Sequence, residues 1–171
     1  MPILEILKFP HPVLRRRARE IEEIDDRIRT LAMEMTETMY RAPGIGLAAP
    51  QVGVSERLIV VDLSCGEQEG HLLTLVNPEI IFSEGEIEME EGCLSVPELN
   101  EKVVRPGRVV VRGLDLEGRT LEVTGEELMA VALQHEIDHL DGILFIDHIS
   151  RLKRSRYMAK RKKELAQADR E

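Results

Sequence analysis

The sequence contains no tryptophan, and only 3% of its residues are aromatic. Because single-stranded nucleic acids are commonly bound by stacking bases on aromatic rings, this composition argues against such a binding surface. The sequence also lacks a long apolar run, and Met1-Pro2-Ile3 leads directly into mixed sequence, so we expect no membrane contact, no signal peptide and a cytoplasmic protein. Only two cysteines are present, Cys65 and Cys93, which is too few for a disulfide framework and agrees with a reducing compartment.

Charged residues are unevenly distributed along the 171 residues, whose formal net charge is −9. Residues 151–171 contain nine Lys or Arg and three Asp or Glu, a net charge of +6, which leaves −15 for residues 1–150. An acidic body argues against general nucleic-acid binding, whereas the basic end can contact an acidic partner. The length fits a single domain with its own hydrophobic core.

The most informative segment is QHEIDH, residues 134–139, in which two histidines are four residues apart. On an α-helix this spacing places the imidazoles of His135 and His139 on one face, with Glu136 beside the first. The pattern is typical of metal-dependent hydrolases. Two core histidines on an amphipathic helix are the alternative interpretation, but Glu136 would then be a costly buried charge without a task.

The residues around this motif predict the helix that carries it. Thr124 would cap its first turn, Glu127 would complete a capping box and Gly142 would end the helix. At about 100° per residue, Leu128 and Ala132 fall in the same stripe as the two histidines. We expect the remaining side of the helix to face water, because it carries polar residues: Glu127, Gln134, Asp138 and Asp141.

Two histidines need a third ligand. In metzincin-type zinc peptidases the third ligand is a histidine that follows the helix, but this sequence has Phe145 at that position. His148 is out of register and Glu164 lies in the basic tail, so neither is attractive. Cys93 is the best candidate, because a cysteine next to Gly92 on a strand edge places a thiolate beside a free backbone N–H. A buried structural cysteine remains the alternative.

Residues 44–51, GIGLAAPQ, follow no regular helix or strand pattern. Glycine and alanine allow the backbone to approach another group closely, and the amide of Gln51 would point at that group. A nucleotide-binding loop is one alternative, but the segment lacks the Gly-Lys-Ser/Thr ending. A tight turn without a function is the other.

The remaining segments predict an α+β fold. We expect a single domain in which short antiparallel or mixed β-sheets pack around the central metal-binding helix, with an N-terminal helix at 26–40 and a C-terminal helix at 147–164. Core spacing in the first helix selects Ile28, Leu31, Met35 and Met39. The predicted strands are 58–62, 72–76, 79–82, 86–90, 103–104, 108–114 and 120–123, with a hairpin turn at Glu117-Gly118.

Three segments in this order, GIGLAAPQ (44–51), EGCLS (91–95) and QHEIDH (134–139), resemble the signature motifs of the bacterial-type peptide deformylases. The resemblance covers nearly the whole chain. It implies that residues 1–150 form a catalytic domain and that residues 151–171 form a basic C-terminal helix of the same domain. It also implies a hydrolase that removes the N-terminal formyl group from the N-formylmethionine of newly synthesised polypeptides and releases formate.

The resemblance assigns roles to the residues of the three motifs. Cys93, His135 and His139 would bind one divalent metal ion, which is Fe(II) by the same resemblance, with Zn, Ni or Co left open by the ligand types. Metal-bound water would attack the formyl carbon, with Glu136 as general base and then general acid.

Other positions would bind the substrate and the transition state. The Gln51 amide and the Leu94 backbone N–H would stabilise the negative oxygen that develops at the formyl carbon. As a further hypothesis, Glu91 pairs with Arg105 and braces the segment that contains Cys93. The residues expected to bind the methionine side chain and the peptide backbone are Ile45, Gly46, Met89, Gly92, Leu128, Val131 and Ala132.

The expected partners are N-formylmethionyl nascent peptides and, through the basic C-terminal helix, the ribosome. We expect a monomer. Some members of the family have a basic residue where this sequence has Leu99-Asn100, which leaves the contacts beyond the methionine open. Two other functions remain as alternatives: a zinc endopeptidase with the H-E-x-x-H motif, and a ribosome-associated binding factor with a structural metal.

Overall fold

A computed structural model describes residues 2–170. Met1 and Glu171, the outer ends of the predicted regions 1–150 and 151–171, lie outside the described residues. Three α-helices are present in this part: α1 (Asp26–Arg41), α2 (Leu128–Leu140) and α3 (Arg151–Ala168). The seven strands are β1 (Gly46–Ala48), β2 (Leu58–Val61), β3 (Leu73–Glu84), β4 (Ile87–Cys93), β5 (Val96–Arg105), β6 (Arg108–Leu114) and β7 (Thr120–Glu126). This single α+β domain confirms the predicted fold class.

The strands form two antiparallel sheets, as the short connections predicted. One sheet has five strands in the order β1-β2-β3-β6-β7, and the other is the β4-β5 hairpin. Helix α2 packs on the large sheet, where Leu133 and Leu140 share a hydrophobic core with Ile59 and Val61. The metal-binding motif is therefore central in the fold, between the sheet and the hairpin that contains Cys93.

The predicted break between the strands 72–76 and 79–82 is wrong. Asn77-Pro78 does not separate two strands, because β3 continues through it with a shift of register between Val76 and Glu79. A bulge accommodates the proline, which has no N–H for the strand ladder. Asn77 Oδ1 then accepts from the Ile21 N–H and Asn77 Nδ2 donates to the Ile21 carbonyl, each at 2.9 Å.

Helix α2 begins differently from the prediction. Thr124 lies in β7, paired with Val110, and α2 follows the strand directly after Glu127, whose φ is 53° and whose side chain makes no capping hydrogen bond. The predicted capping box is therefore wrong. The predicted end is confirmed, since Gly142 has φ 75° and its N–H donates to the carbonyl of His139.

The polar side of α2 is also less exposed than predicted. Gln134 is buried, because its amide donates to the carbonyl of Pro106 at 2.9 Å and to that of Ala130 at 3.0 Å. The prediction that this residue faces water is wrong. A buried amide is tolerated there because both contacts satisfy its donors.

Two further segments differ from the prediction. Within the segment 44–51, residues 46–51 are regular, since they contain β1 and the start of a 3₁₀ helix at Ala49–Val52. The last helix begins later than predicted, because Phe145–His148 is a separate 3₁₀ helix and Ser150 caps α3 by accepting from the Lys153 N–H at 3.2 Å. Among residues 2–170, no helix is both long enough and apolar enough to cross a membrane.

Candidate active site

Three metal-binding side chains lie together at one end of the β4-β5 hairpin. Cys93 ends β4, whereas His135 and His139 lie one turn apart on α2, and one donor atom from each residue lies within 4.8 Å of the others. Cys93 Sγ is 3.3 Å from His139 Nε2. The sequence placed these three residues at one metal site, and the structure brings them together.

The orientation of the two rings fits a metal ion. His135 Nδ1 contacts Glu91 Oε1 at 2.9 Å, which leaves Nε2 free as a ligand. His139 is 1% exposed, and its Nδ1 has no hydrogen-bond partner among residues 2–170. Two imidazoles and one thiolate form a donor set that suits zinc or ferrous iron.

The charges around the donors favour cation binding. Burial alone would raise the pKa of Glu91, but hydrogen bonds from His135 and Arg105 outweigh it and lower this pKa to about 2. The ionised carboxylate can only accept, so His135 Nδ1 is the donor of their hydrogen bond. Burial lowers the pKa of His139 well below its ordinary value, which keeps this ring neutral and available to a metal ion.

Glu136 lies beside the donors in an unusual environment. It is 5% exposed, and its Oε1 has no hydrogen-bond partner within the described part of the chain. Burial raises its pKa to about 7. The position is possible because Gly46 has no side chain: a Cβ atom there would overlap the Glu136 carboxylate. A carboxyl group with this pKa can accept and return a proton near neutral pH.

Gln51 is held beside the cysteine in a fixed orientation. Its Oε1 accepts from the Ala48 N–H at 2.9 Å, and its Nε2 donates to Ser95 Oγ at 3.1 Å and lies 3.7 Å from Cys93 Sγ. The side chain is 2% exposed. Leu94 lies in the turn between β4 and β5, next to Cys93. Both predicted oxyanion donors are therefore adjacent to the candidate metal ligands.

A cleft of about 440 Å³ opens beside Glu136 and His135. Its walls include six of the seven residues predicted to bind substrate: Ile45, Gly46, Gly92, Leu128, Val131 and Ala132. The seventh, Met89, is half-buried on β4 but is not part of this lining, so its role stays a prediction. Gln51, Cys93 and Leu94 also line the cleft, which joins the apolar pocket to the donors.

Comparison with known proteins decides the family. The family model described as polypeptide deformylase matches residues 3–155. The chain belongs to the polypeptide deformylase family. Peptide deformylase from Thermodesulfovibrio yellowstonii is 56% identical over 160 residues, which cover 94% of this chain and 97% of that protein. Peptide deformylase from Syntrophobacter fumaroxidans is 52% identical over 168 residues, covering 98% and 99%.

Solved deformylase structures have the same fold. The crystal structure of a peptide deformylase from Legionella pneumophila superposes with a TM-score of 0.91 at 47% identity and covers 99% of each chain. A peptide deformylase from Synechococcus elongatus, crystallised in complex with actinonin, has a TM-score of 0.89 at 40% identity and covers 95% of this chain and 89% of that one. The chain is accordingly a hydrolase of the deformylase type, and deformylation of N-formylmethionine is the activity of its family.

Some residues of this deformylase site were missed by the sequence analysis. The ion pair between Glu91 and Arg105 is confirmed, with Arg105 Nε 2.6 Å from Glu91 Oε2. Asp138 and Ser95 were not predicted to be near the site, although Asp138 contacts Arg105 and Ser95 contacts Gln51. The only sequence signal for them was their position inside the QHEIDH and EGCLS motifs.

Proposed function

We propose that this chain hydrolyses the formyl amide of N-formylmethionyl nascent peptides by the mechanism that its cleft residues support. The observation that carries this proposal is the position of Glu136 between the three metal-binding side chains and the apolar cleft, where it is buried and its Oε1 has no partner among residues 2–170. A carboxylate buried there without a partner would be costly unless it had a chemical task.

Cys93, His135 and His139 would hold one divalent metal ion. We propose that this ion is Fe(II). Zinc, nickel and cobalt are alternatives, because these ions also bind imidazole and thiolate ligands. When bound, the ion would act as a Lewis acid toward the formyl oxygen and lower the pKa of water.

Glu136 would move the proton. It accepts a proton from the attacking water as the new carbon–oxygen bond forms, and it returns that proton to the leaving amine as the carbon–nitrogen bond breaks. The products are formate and a peptide with a free amino terminus. The pKa of about 7 suits both steps, because the group is neither fully protonated nor fully ionised near neutral pH.

The Gln51 amide and the Leu94 backbone N–H would stabilise the negative charge that develops on the formyl oxygen. Contacts with Ala48 and Ser95 fix both ends of the Gln51 amide in advance, beside Cys93. Donors fixed in advance stabilise a transition state more than mobile donors do.

The cleft would bind the methionine side chain on its apolar wall. Ile45, Val131 and Ala132 supply apolar surface beside His135, and Leu128 lies at the rim, 40% exposed. Gly46 and Gly92 lack side chains where the peptide backbone would approach. We retain Met89 as a further contact of the substrate.

Helix α3 would dock on the ribosome as part of the same domain. Tyr157 anchors it to the domain through a hydrogen bond to the Pro97 carbonyl at 3.1 Å, and Arg161 donates to the Phe9 carbonyl at 2.8 Å. Many of its other basic side chains are exposed and available to RNA phosphate groups. The monomeric state and the cytoplasmic location also stay predictions.

The test is incubation of the metal-loaded protein with an N-formylmethionyl tripeptide and separation of all products by mass. We expect formate and the intact deformylated tripeptide in equal amounts. Cleavage of an internal peptide bond would support the endopeptidase alternative. Absence of any product from fully metallated protein would support the binding-factor alternative.

A further inference from the structure

A series of hydrogen bonds connects the protein surface with His135, one of the three metal-binding residues. His135 Nδ1 donates to Glu91 Oε1 at 2.9 Å, and Arg105 binds both oxygens of Glu91, at 2.6 and 2.9 Å. Arg105 Nη1 donates to Asp138 Oδ2 at 2.9 Å. His148 Nε2 lies 2.9 Å from the same oxygen. Asp138 is thus the third group in this series, counted from the ligand.

The series connects the two elements that supply the metal donors. Glu91 and Arg105 belong to the β4-β5 hairpin, which contains Cys93, whereas Asp138 belongs to α2, which carries both histidines. The Arg105 and Glu91 side chains are only 5% and 3% exposed, and Asp138 is 21% exposed. Charge-assisted hydrogen bonds that are shielded from water hold groups in place more firmly than surface contacts do.

We propose that Asp138 is a positioning residue of the metal centre. By holding Arg105 against α2, it fixes Glu91 on His135 and fixes the hairpin with Cys93 relative to the helix. This inference rests on the proposed function, since it assigns Asp138 to the same site. Replacing a group that contacts a ligand directly, here Glu91, typically changes metal affinity by about 10–100-fold. We expect a smaller effect at Asp138, which acts on His135 through Arg105 and Glu91.

The chain provides a matched control on the same helix end. Asp141 also pairs with a buried arginine: its Oδ1 is 2.9 Å from Arg57 Nη2, and the Arg57 side chain is 10% exposed. The Arg57 side chain otherwise contacts the carbonyls of Ala18 and Leu140, and among residues 2–170 it makes no hydrogen bond to Glu91, Arg105 or a metal-binding side chain. Asp138→Asn and Asp141→Asn therefore each remove one carboxylate from an arginine, but only the first would disturb the donors.

The experiment measures Co(II) affinity of the full chain by competition with a chelator, together with the visible spectrum of the Co(II)-loaded protein. We expect Asp138→Asn to bind Co(II) measurably more weakly than the wild type, by less than about tenfold, and to show a shifted spectrum, whereas Asp141→Asn matches the wild type in both. Equal affinity and spectrum for all three proteins would overturn the inference. So would an equal loss in both variants, which would indicate general destabilisation.

A double variant tests whether the effect passes through Glu91. In a Glu91→Gln background, Asp138→Asn should weaken Co(II) binding much less than it does in the wild type, because the contact that transmits the effect is already altered. Full additivity would contradict the proposed route. If the wild type binds Co(II) but releases no formate, the proposed function fails, while the affinity comparison still decides the role of Asp138.

Discussion

Replacing Glu91 with glutamine removes a buried negative charge that His135 and Arg105 share. The Glu91 pKa of about 2, against an ordinary value of 4.5, shows how strongly the fold favours the ionised form. At about 1.4 kcal/mol per pH unit, this difference corresponds to about 3 kcal/mol. Loss of one partner from a buried ion pair typically costs about 3–5 kcal/mol, and the lower end applies because Arg105 keeps Asp138 as a partner.

The assay is urea and thermal unfolding of metal-free protein at pH 7, so that altered metal binding does not contribute. For a chain of this length, about 3 kcal/mol corresponds to a loss of about 6–12 °C in Tm. The folded pKa lies below the unfolded pKa, so the stabilisation by Glu91 is fully present above about pH 4.5 and is lost as the pH falls toward 2. The difference between wild type and variant should shrink over that range.

Glu84→Gln is the control for this prediction. Glu84 also pairs with an arginine, Arg108, but both side chains are 41% or more exposed, so its replacement should change stability by less than about 1 kcal/mol. A Glu91→Gln variant no less stable than the control at pH 7 would refute the reasoning. A difference that stays constant between pH 7 and pH 3 would refute the assigned pKa.

Three further outcomes follow from the cleft. Gly46→Ala should lower kcat far more than it changes KM in steady-state kinetics, because the new Cβ displaces the Glu136 carboxylate. Gly107→Ala is the control and should match the wild type, because its Cβ would make only ordinary contacts. Gln51→Ala should lower kcat by about 10²–10³ with a smaller rise in KM, measured in the same assay. Burial raises the Glu136 pKa from 4.5 to about 7, so the ionised carboxylate destabilises the fold. Glu136→Gln should therefore stabilise the metal-free protein against urea by up to about 3 kcal/mol at pH 8 and by less at pH 5. Equal gains at both pH values would contradict this.

Elements with a strong local pattern were predictable from the sequence. The first helix was expected at 26–40 and lies at Asp26–Arg41, because its core residues recur at helical spacing and Asp25 caps it. The errors occurred where tertiary pairing decides the conformation. Thr124 is a good helix cap in isolation, but pairing with Val110 keeps it in β7. Asn77-Pro78 is a good turn in isolation, but a bulge keeps it inside β3.

The residues of the candidate site that lie in the three motifs were predictable from the sequence, whereas contacts between distant residues were not. Cys93 was selected because the helix needed a third ligand, and its thiol does lie beside both histidines. The contact of Asp138 with Arg105 joins residues 33 positions apart, and no periodicity encodes such a pairing. The same applies to the space that Gly46 leaves for Glu136, which exists only because β1 packs against α2. Such contacts become visible only in the folded chain.

The most direct test of the central claim is formate release by wild type and Glu136→Ala loaded with equal amounts of the same metal. The account predicts rapid release of formate from an N-formylmethionyl peptide by the wild type. It predicts little release by the variant, because the proton acceptor beside the donors is missing. Equal rates at equal metal content would contradict the role of Glu136 and with it the proposed mechanism.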